Sequence, residues 1–168
     1  MLKKVSIISI TIFLIDQIIK FIITANLNLY EEIIIIKDFF SLFYVQNFGA
    51  GFSILIGQRL FLILISLIAL VAIIYYLYRN KDIKKYEKIL YPVLIGGILG
   101  NLFDRIIFGY VIDYLSFNFF GYEYPVFNFA DMAIVISIFG LLFFGIKDDF
   151  NENKGRRNRE KNWCIFNW

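Results

Sequence analysis

Four long apolar segments divide this chain, and each is long enough to cross a membrane as a helix. They run over about residues 5–24, 60–78, 89–108 and 127–146. A helix needs about 20 mostly apolar residues to span the hydrocarbon core of a bilayer. The pattern predicts an all-α membrane protein with four transmembrane helices.

The positive residues between these segments predict how the chain is oriented. Lys3 and Lys4 precede the first segment, a basic cluster over residues 79–88 follows the second, and the tail after Lys147 is also basic. Lys and Arg are enriched on the cytoplasmic side of membranes. We therefore expect both termini inside, with residues 1–149 as a single membrane domain and residues 150–168 as a basic cytoplasmic tail that lies on anionic lipid.

The two outer connections differ in character. Residues 25–58 include β-branched and aromatic runs at 33–36 and 39–45, which predict a small extracytoplasmic β-rich cap that rests on the membrane or covers a bound chain. Residues 114–126 are dense in Phe and Tyr and contain one glycine and one proline. This composition predicts a short interfacial helix or loop that is able to move.

Composition supports a membrane location and excludes several kinds of chemistry. The 168 residues are 60% hydrophobic, with a mean hydropathy of +0.69, which is typical of a chain that uses lipid as its solvent. The net charge of only +3 does not indicate a nucleic-acid partner. No histidine is present, which excludes histidine-activated nucleophiles and His-based zinc sites. The single Cys164 can form no intrachain disulfide, and we expect neither a metal nor a cofactor.

Polar residues from three separate segments fall at similar depths in the membrane. Counted from the basic residues at the inner ends at about 1.5 Å per residue, they lie roughly 18–24 Å above the inner boundary of a core about 30 Å thick. They are Asp16, Lys20, Asn101, Asp104 and Asp131. Asp113 would fall near the outer boundary, within reach of Asp131. The convergence predicts a site that opens to the outer face.

Asp113 and Asp131 are the candidate catalytic pair. Two carboxylates that share a site cannot both ionise cheaply, so one keeps a proton while the other can act as a base on water. Such a pair can hydrolyse an amide without a covalent intermediate. Which aspartate starts as the base is open at this point. The alternatives are a proton or ion pathway, and a structural carboxylate satisfied by Asn128 and nearby backbone.

The other polar residues in the membrane also allow two interpretations. Asp16 and Lys20 are spaced i,i+4 and predict an ion pair, which either makes their insertion cheap or orients the site. Asn101 is a candidate donor to a substrate backbone or to an aspartate. Asp104 and Arg105 are expected to pair with each other at a helix end.

Two further features surround the candidate pair. Asn47 is predicted to sit in a loop that re-enters the membrane, as a turn residue or as a substrate contact. Gly96, Gly97 and Gly100 are expected to permit close helix packing.

Five short motifs, in this order and spacing, resemble those of the bacterial lipoprotein signal peptidases, also called type II signal peptidases. The resemblance covers most of the chain, and no motif residue departs from it; Gly51 replaces the alanine often found there and is expected to be harmless. The motifs are DQIIK at 16–20, NFGAGFS at 47–53, GGILGNLFDR at 96–105, VIDY at 111–114 and FNFAD at 127–131.

The resemblance implies an aspartic endopeptidase of the cytoplasmic membrane. Such enzymes remove the signal peptide from diacylglyceryl-modified prolipoproteins and cleave just before the lipidated cysteine. It implies that Asp113 and Asp131 are catalytic and that the partners are these substrates and membrane lipid; we expect a monomer. The residues that it assigns to substrate binding or support are Asn47, Gly49, Asn101, Arg105, Asn128, Asp16, Lys20 and Asp104.

Two other classes of protein could account for part of this pattern. A small proton-coupled membrane carrier could use the same acids, but a carrier is expected to hold them near the midplane with access from both sides, whereas here they gather on one side. A noncatalytic membrane scaffold explains the glycines and the aromatic residues. It does not explain the pair of carboxylates.

Overall fold

The fold is that of a computed structural model, which describes residues 2–50, 55–80 and 82–166. Gly51, Phe52 and Ser53 of the second motif, and Lys81 of the basic cluster, lie outside the described residues. The elements are α1 Leu2–Asn26, β1 Glu32–Ile36, β2 Phe40–Asn47, α2 Arg59–Arg79, α3 Glu87–Ile107, β3 Val111–Phe119, β4 Tyr122–Phe127 and α4 Phe129–Phe166.

Within the described ranges, four helices are long and apolar enough to cross a membrane. Their apolar spans are Val5–Asn26, Arg59–Arg79, Glu87–Ile107 and Phe129–Asn151. The predicted four-helix fold is therefore confirmed, and the chain is a multi-pass membrane protein. The last helix is longer than predicted, because its backbone remains helical through the basic tail to Phe166.

Helix α3 lies at the centre of the bundle, where half of its apolar span is buried, against about a fifth of each other span. Its glycines allow α1 and α4 to approach its backbone. A Cβ on Gly96 would lie 2.7 Å from the Ser9 carbonyl oxygen of α1, and one on Gly97 would lie 2.7 Å from the Ala130 carbonyl oxygen of α4. The close packing of α1, α3 and α4 at one site therefore depends on the lack of a side chain at Gly96 and Gly97.

The four strands form one antiparallel sheet in the order β1-β2-β3-β4. The β-rich cap predicted for the first outer connection is confirmed by β1 and β2. The prediction of a short helix or loop in the second connection is wrong, because that segment supplies β3 and β4. Phe120 and Gly121 form the turn between them with φ of 54° and 87°, and two positive φ values are typical of a two-residue type I′ hairpin.

The aromatic residues of the second connection favour strands because alternate side chains share one face of a sheet. Phe117 stacks on Phe119 at 6.0 Å between ring centroids and on Phe127 of the next strand at 5.7 Å. These contacts require the period of two that only a strand provides. The aromatic-rich second connection therefore extends the sheet.

The sheet also corrects the position of Asn47, which was predicted in a re-entrant loop and is instead the last residue of β2. Asn47 pairs with Val111 of β3, and Val45 pairs with Asp113. This register makes Asn47 and Asp113 diagonal neighbours on one face of the sheet. The hydrogen-bonded ladder thus carries Asp113 and an amide donor to the same place.

Candidate active site

The candidate site lies where α1, α3, the β2–β3 ladder and the start of α4 meet. Five of its polar side chains are almost completely shielded, with exposed fractions of 0–1%, and Asn101 is 6% exposed. The five are Asp16, Lys20, Asp104, Asp113 and Asn128. Asp131 is only half-buried. Because a buried polar group is costly without partners, the hydrogen bonds among these residues determine how the site is built.

Helix α4 begins with a reciprocal cap that contains the second candidate catalytic residue. The Asp131 amide donates to Asn128 Oδ1 at 2.9 Å, and the Asn128 amide donates to Asp131 Oδ2 at 3.2 Å. This is the capping-box arrangement, with Asn and Asp in place of the commoner Ser or Thr and Glu. The local sequence Asn-Phe-Ala-Asp therefore both starts the helix and fixes the Asp131 carboxylate.

The two remaining free amides at this helix end are also satisfied. The Phe129 amide donates to the Tyr114 hydroxyl at 3.2 Å, and the Ala130 amide donates to Asp16 Oδ1 at 3.0 Å. A helix that starts inside a membrane cannot rely on water for these bonds. The start of α4 is consequently held by side chains from α1 and β3, and Asp131 is held with it.

Asp113 is buried in the sheet and accepts two amide hydrogen bonds. Asn47 Nδ2 donates to Oδ2 at 2.9 Å, and Asn128 Nδ2 donates to Oδ1 at 2.6 Å. Burial, followed by the nearby charge of Asp131, raises the pKa of Asp113 to about 7. The carboxyl of Asp113 therefore holds a proton well above the pH at which an ordinary aspartate ionises.

Asp131 has a different set of hydrogen-bond donors, one from a side chain and one from the backbone. Its Oδ1 accepts a hydrogen bond from Asn101 Nδ2 at 2.7 Å, and its Oδ2 accepts the backbone bond of the helix cap. The amino-terminal end of a helix carries partial positive charge and stabilises a carboxylate there. The two aspartates thus differ in their supporting structure, because one lies on a strand and the other at a helix start.

A buried ion cluster from α1 and α3 lies beside the pair. The Lys20 ammonium contacts Asp16 Oδ2 and Asp104 Oδ2, both at 2.8 Å. The i,i+4 ion pair predicted between Asp16 and Lys20 is confirmed. The expected pairing of Asp104 with Arg105 is wrong, since adjacent residues on a helix do not face each other. Asp104 also accepts a bond from the Ile112 amide at 3.2 Å, which ties the cluster to β3.

Arg105 instead connects α3 to the segment that follows β2. Its Nη2 donates to the Gly49 carbonyl at 3.0 Å and its Nη1 to the Asn101 carbonyl at 3.3 Å. Asn47 Oδ1 accepts from the Gly49 amide at 2.9 Å. Asn47 therefore shapes the turn with its oxygen and binds Asp113 with its nitrogen.

An open cavity of about 420 Å³ adjoins the two aspartates. Asn47, Arg105, Asp113 and Asp131 form its polar part. The rest of its lining is mainly apolar, from β4 and from the first turns of α4. Among the residues that the structure describes, no group of His, Cys, Asp or Glu side chains is arranged to hold a metal ion.

Three residues that support the site were not singled out from the sequence. Gln17 donates to Asp104 Oδ1 at 3.0 Å, and Tyr114 receives the Phe129 amide. Arg59 donates to the Arg105 and Ile106 carbonyls at 2.8 and 3.0 Å at the end of α3. Gln17 and Tyr114 lie inside the motifs already recognised, which is the signal that would have identified them; Arg59 lies in none.

The chain is similar in sequence and in structure to bacterial signal peptidases and to a solved bacterial membrane enzyme. A family model described as "Signal peptidase (SPase) II" matches residues 8–147. A lipoprotein signal peptidase of Clostridium tetani is 38% identical over 142 residues, which cover 84% of this chain and 91% of that protein. One from Halothermothrix orenii is 40% identical over 140 residues, with 83% and 93% covered. A solved structure described as a bacterial membrane enzyme superposes with a TM-score of 0.82 at 29% identity, covering 88% of this chain and 90% of that one.

Proposed function

This chain belongs to the signal peptidase II family of peptidases, and on that premise we propose that it is an aspartic endopeptidase that removes the signal peptide from diacylglyceryl-modified prolipoproteins. Cleavage falls just before the lipidated cysteine. The observation that carries the aspartic mechanism is the arrangement of Asp113 and Asp131 around Asn128, whose side chain binds the first carboxyl and whose backbone binds the second.

In the starting state Asp113 carries the proton and Asp131 is the base. This assignment is supported by the raised pKa of Asp113, and by the helix cap and the Asn101 donor at Asp131. Asp131 is also the more exposed of the two, since Asp113 is 1% exposed while Asp131 is half-buried at the cavity. A base that must meet water is expected on the more accessible side.

The reaction then needs only these two groups and one water. Asp131 takes a proton from the water as its oxygen attacks the scissile carbonyl carbon, and Asp113 gives its proton to the carbonyl oxygen. The tetrahedral product breaks down when Asp131 donates its new proton to the leaving nitrogen and Asp113 recovers a proton from a hydroxyl. The pair ends in its starting state and titrates as a unit.

The cavity beside the pair suits a substrate that is held in the membrane. Met132, Val135 and Ile136 of α4 line it and are exposed, so the apolar wall continues onto the outside of the helix bundle. A peptide or acyl chain lying along that wall would bring its polar scissile bond to the carboxyl groups. Asn47 and Arg105, which line the polar part of the cavity, are the proposed substrate contacts.

The proposed orientation has both termini in the cytoplasm and the aspartates towards the extracytoplasmic side. Lys84, in the basic connection between α2 and α3, forms a 2.8 Å ion pair with Asp148 near the end of the fourth span. The basic connection and the basic tail therefore lie on the same side of the membrane, as the enrichment of positive residues in the cytoplasm requires. We assign the peptidase to residues 1–149, which act as a monomer, and the tail to residues 150–168.

The test is a cleavage assay with purified protein in detergent. We expect the wild type to convert a diacylglyceryl-modified prolipoprotein to a product whose first residue is the lipidated cysteine, identified by mass spectrometry, and to leave the unmodified precursor intact. Asp113→Asn and Asp131→Asn should each lower kcat by about 100- to 10,000-fold, because each removes one of two proton transfers worth about 10²–10⁴. Glu123→Gln, an exposed carboxyl-to-amide change on β4, is the matched control. Near wild-type cleavage by either aspartate variant would refute the mechanism.

A further inference from the structure

Three asparagines bind the two aspartates, and each is held in one orientation by a neighbour that can only donate. A carboxamide has an acceptor oxygen and a donor nitrogen, so a donor on one side forces its NH₂ group to the other side. The Gly49 amide orients Asn47 in this way, and the Asp131 amide orients Asn128. Both of these orienting donors belong to the backbone.

Asn101 is oriented by side chains. The Lys20 ammonium donates to Asn101 Oδ1 at 3.0 Å, and Asn128 Nδ2 approaches the same oxygen at 3.1 Å. Asn101 Nδ2 then points to Asp131 Oδ1 at 2.7 Å. If the carboxamide were reversed, its NH₂ group would face the ammonium and its oxygen would face the carboxylate of Asp131.

Lys20 is suited to this task because its hydrogens are fully used. An ammonium group has three hydrogens and no acceptor, and here it contacts three oxygens, one each from Asp16, Asp104 and Asn101. The side chain is 1% exposed, so water does not compete for these bonds. Two carboxylates already balance the ammonium, and the hydrogen-bonded connection from it to Asp131 runs through the Asn101 carboxamide.

We propose that Lys20 is a positioning residue for the reaction: by fixing the carboxamide of Asn101, it keeps a hydrogen-bond donor on the base Asp131. The proposal rests on the proposed function. It assigns to the buried ion cluster a role beyond stabilising the helix bundle. The hydrogen bond from Asn101 to the Asp131 carboxylate then depends on the Lys20 ammonium, which contacts Asn101 and not Asp131.

The test is a double-mutant cycle between Lys20 and Asn101, with kcat and KM measured in the cleavage assay. Lys20→Met should lower kcat by about 10- to 100-fold, which corresponds to one hydrogen bond to a charged group. It should change KM by no more than about twofold, because Lys20 acts on Asp131 and not on the substrate. Asn101→Ala should have a similar effect, and the double variant should be no slower than Asn101→Ala alone.

A second variant removes the buried charge imbalance that Lys20→Met creates. In the double variant Asp16→Asn/Lys20→Met the cluster has the same net charge as in the wild type, and the carboxamide oxygen introduced at position 16 can still accept the Ala130 amide. Relative to Asp16→Asn, the double variant should lose as much kcat as Lys20→Met loses relative to the wild type. This loss should remain even if the melting temperature of the double variant equals that of Asp16→Asn. This pair replaces the single variant if Lys20→Met does not fold.

The outcomes separate the two proposals. If the wild type cleaves and the Lys20 and Asn101 effects on kcat multiply, or if kcat recovers together with stability in the charge-balanced variant, Lys20 is only a structural ion-pair partner and the inference is overturned. If the wild type does not cleave the lipidated precursor, the proposed function itself fails. Complete loss of the Lys20 effect in the Asn101→Ala background supports the inference.

Discussion

Replacing Asp113 with asparagine should lower kcat by about 100-fold or more and should also make the protein more stable relative to the wild type as the pH rises. The pKa of this carboxyl is raised from 3.8 to about 7 by burial and by Asp131. Between these two values the folded protein binds a proton that the unfolded chain does not. The stabilisation linked to that proton is complete below the unfolded pKa and is lost as the pH rises through the folded pKa.

The size of the effect follows from the two pKa values. Each pKa unit corresponds to 1.36 kcal/mol, so ionising Asp113 costs the folded protein about 4 kcal/mol in total, of which about 3 kcal/mol falls between pH 5 and 8.5. Asparagine carries no such cost. It does replace one of the two acceptor oxygens by an NH₂ group, which then faces the NH₂ group of Asn47 or Asn128, and this meeting of two donors costs about 1–3 kcal/mol at every pH.

The informative quantity is how the stability difference between Asp113→Asn and the wild type changes with pH. The cost of the misplaced NH₂ group is the same at every pH and does not contribute to that change. For a protein of this size we expect the melting temperature of Asp113→Asn, relative to wild type, to rise by roughly 6–12 °C between pH 5 and 8.5. The measurement is thermal unfolding followed by circular dichroism in detergent micelles. Glu123→Gln controls for the loss of one negative charge. If the melting temperature of Asp113→Asn minus that of the wild type stays constant or falls as the pH rises, the linkage between burial and the proton on Asp113 is refuted.

Two further predictions address catalysis. The kcat/KM of the wild type should fall as the pH rises above about 7, since the free enzyme must hold a proton on Asp113 for this residue to act as the acid, and a kcat/KM that stays level to pH 9 would contradict that role. Gly97→Ala should lower kcat by at least about tenfold, because its Cβ would lie 2.7 Å from the Ala130 carbonyl next to Asp131 and a small displacement of a catalytic group is costly. Gly145→Ala, where a Cβ meets nothing within 4 Å, is the matched control and should keep wild-type kcat.

The transmembrane spans and the depth of their polar residues could be predicted from the sequence because both depend only on the number of residues along one helix. A helix rises by a fixed amount per residue, so Asp16, Asn101 and Asp131 could be placed at one level before their contacts were known. The contacts themselves depend on rotation and packing, which spacing within one helix does not determine. That is why Asp104 was assigned to its neighbour Arg105 and is found with Lys20 of another helix.

The second outer connection was mispredicted for a different reason. Its aromatic residues suit both an interfacial helix and a strand, and its turn is formed by Phe120 and Gly121 rather than by Asn-Gly or Asp-Gly, the usual signals for a hairpin. A phenylalanine with φ of 54° is uncommon. The sheet pairing of Phe117, Phe119 and Phe127 across β3 and β4 stabilises the hairpin, and that stabilisation appears only once the strands are paired.

The difference between the two aspartates follows from the elements that carry them. A strand offers Asp113 only side-chain donors within a buried ladder, so burial dominates and the carboxyl keeps its proton. A helix start offers Asp131 a backbone amide and a favourable dipole, to which Asn101 adds a third contribution. Placing one acid on each kind of element gives the two carboxyl groups different surroundings, on which the proposed division into acid and base rests. By the same reasoning, a change in the cap at Asn128 should disturb both proposed roles at once, because within the described part of the chain only this residue binds both carboxyl groups, one with its side chain and one with its backbone.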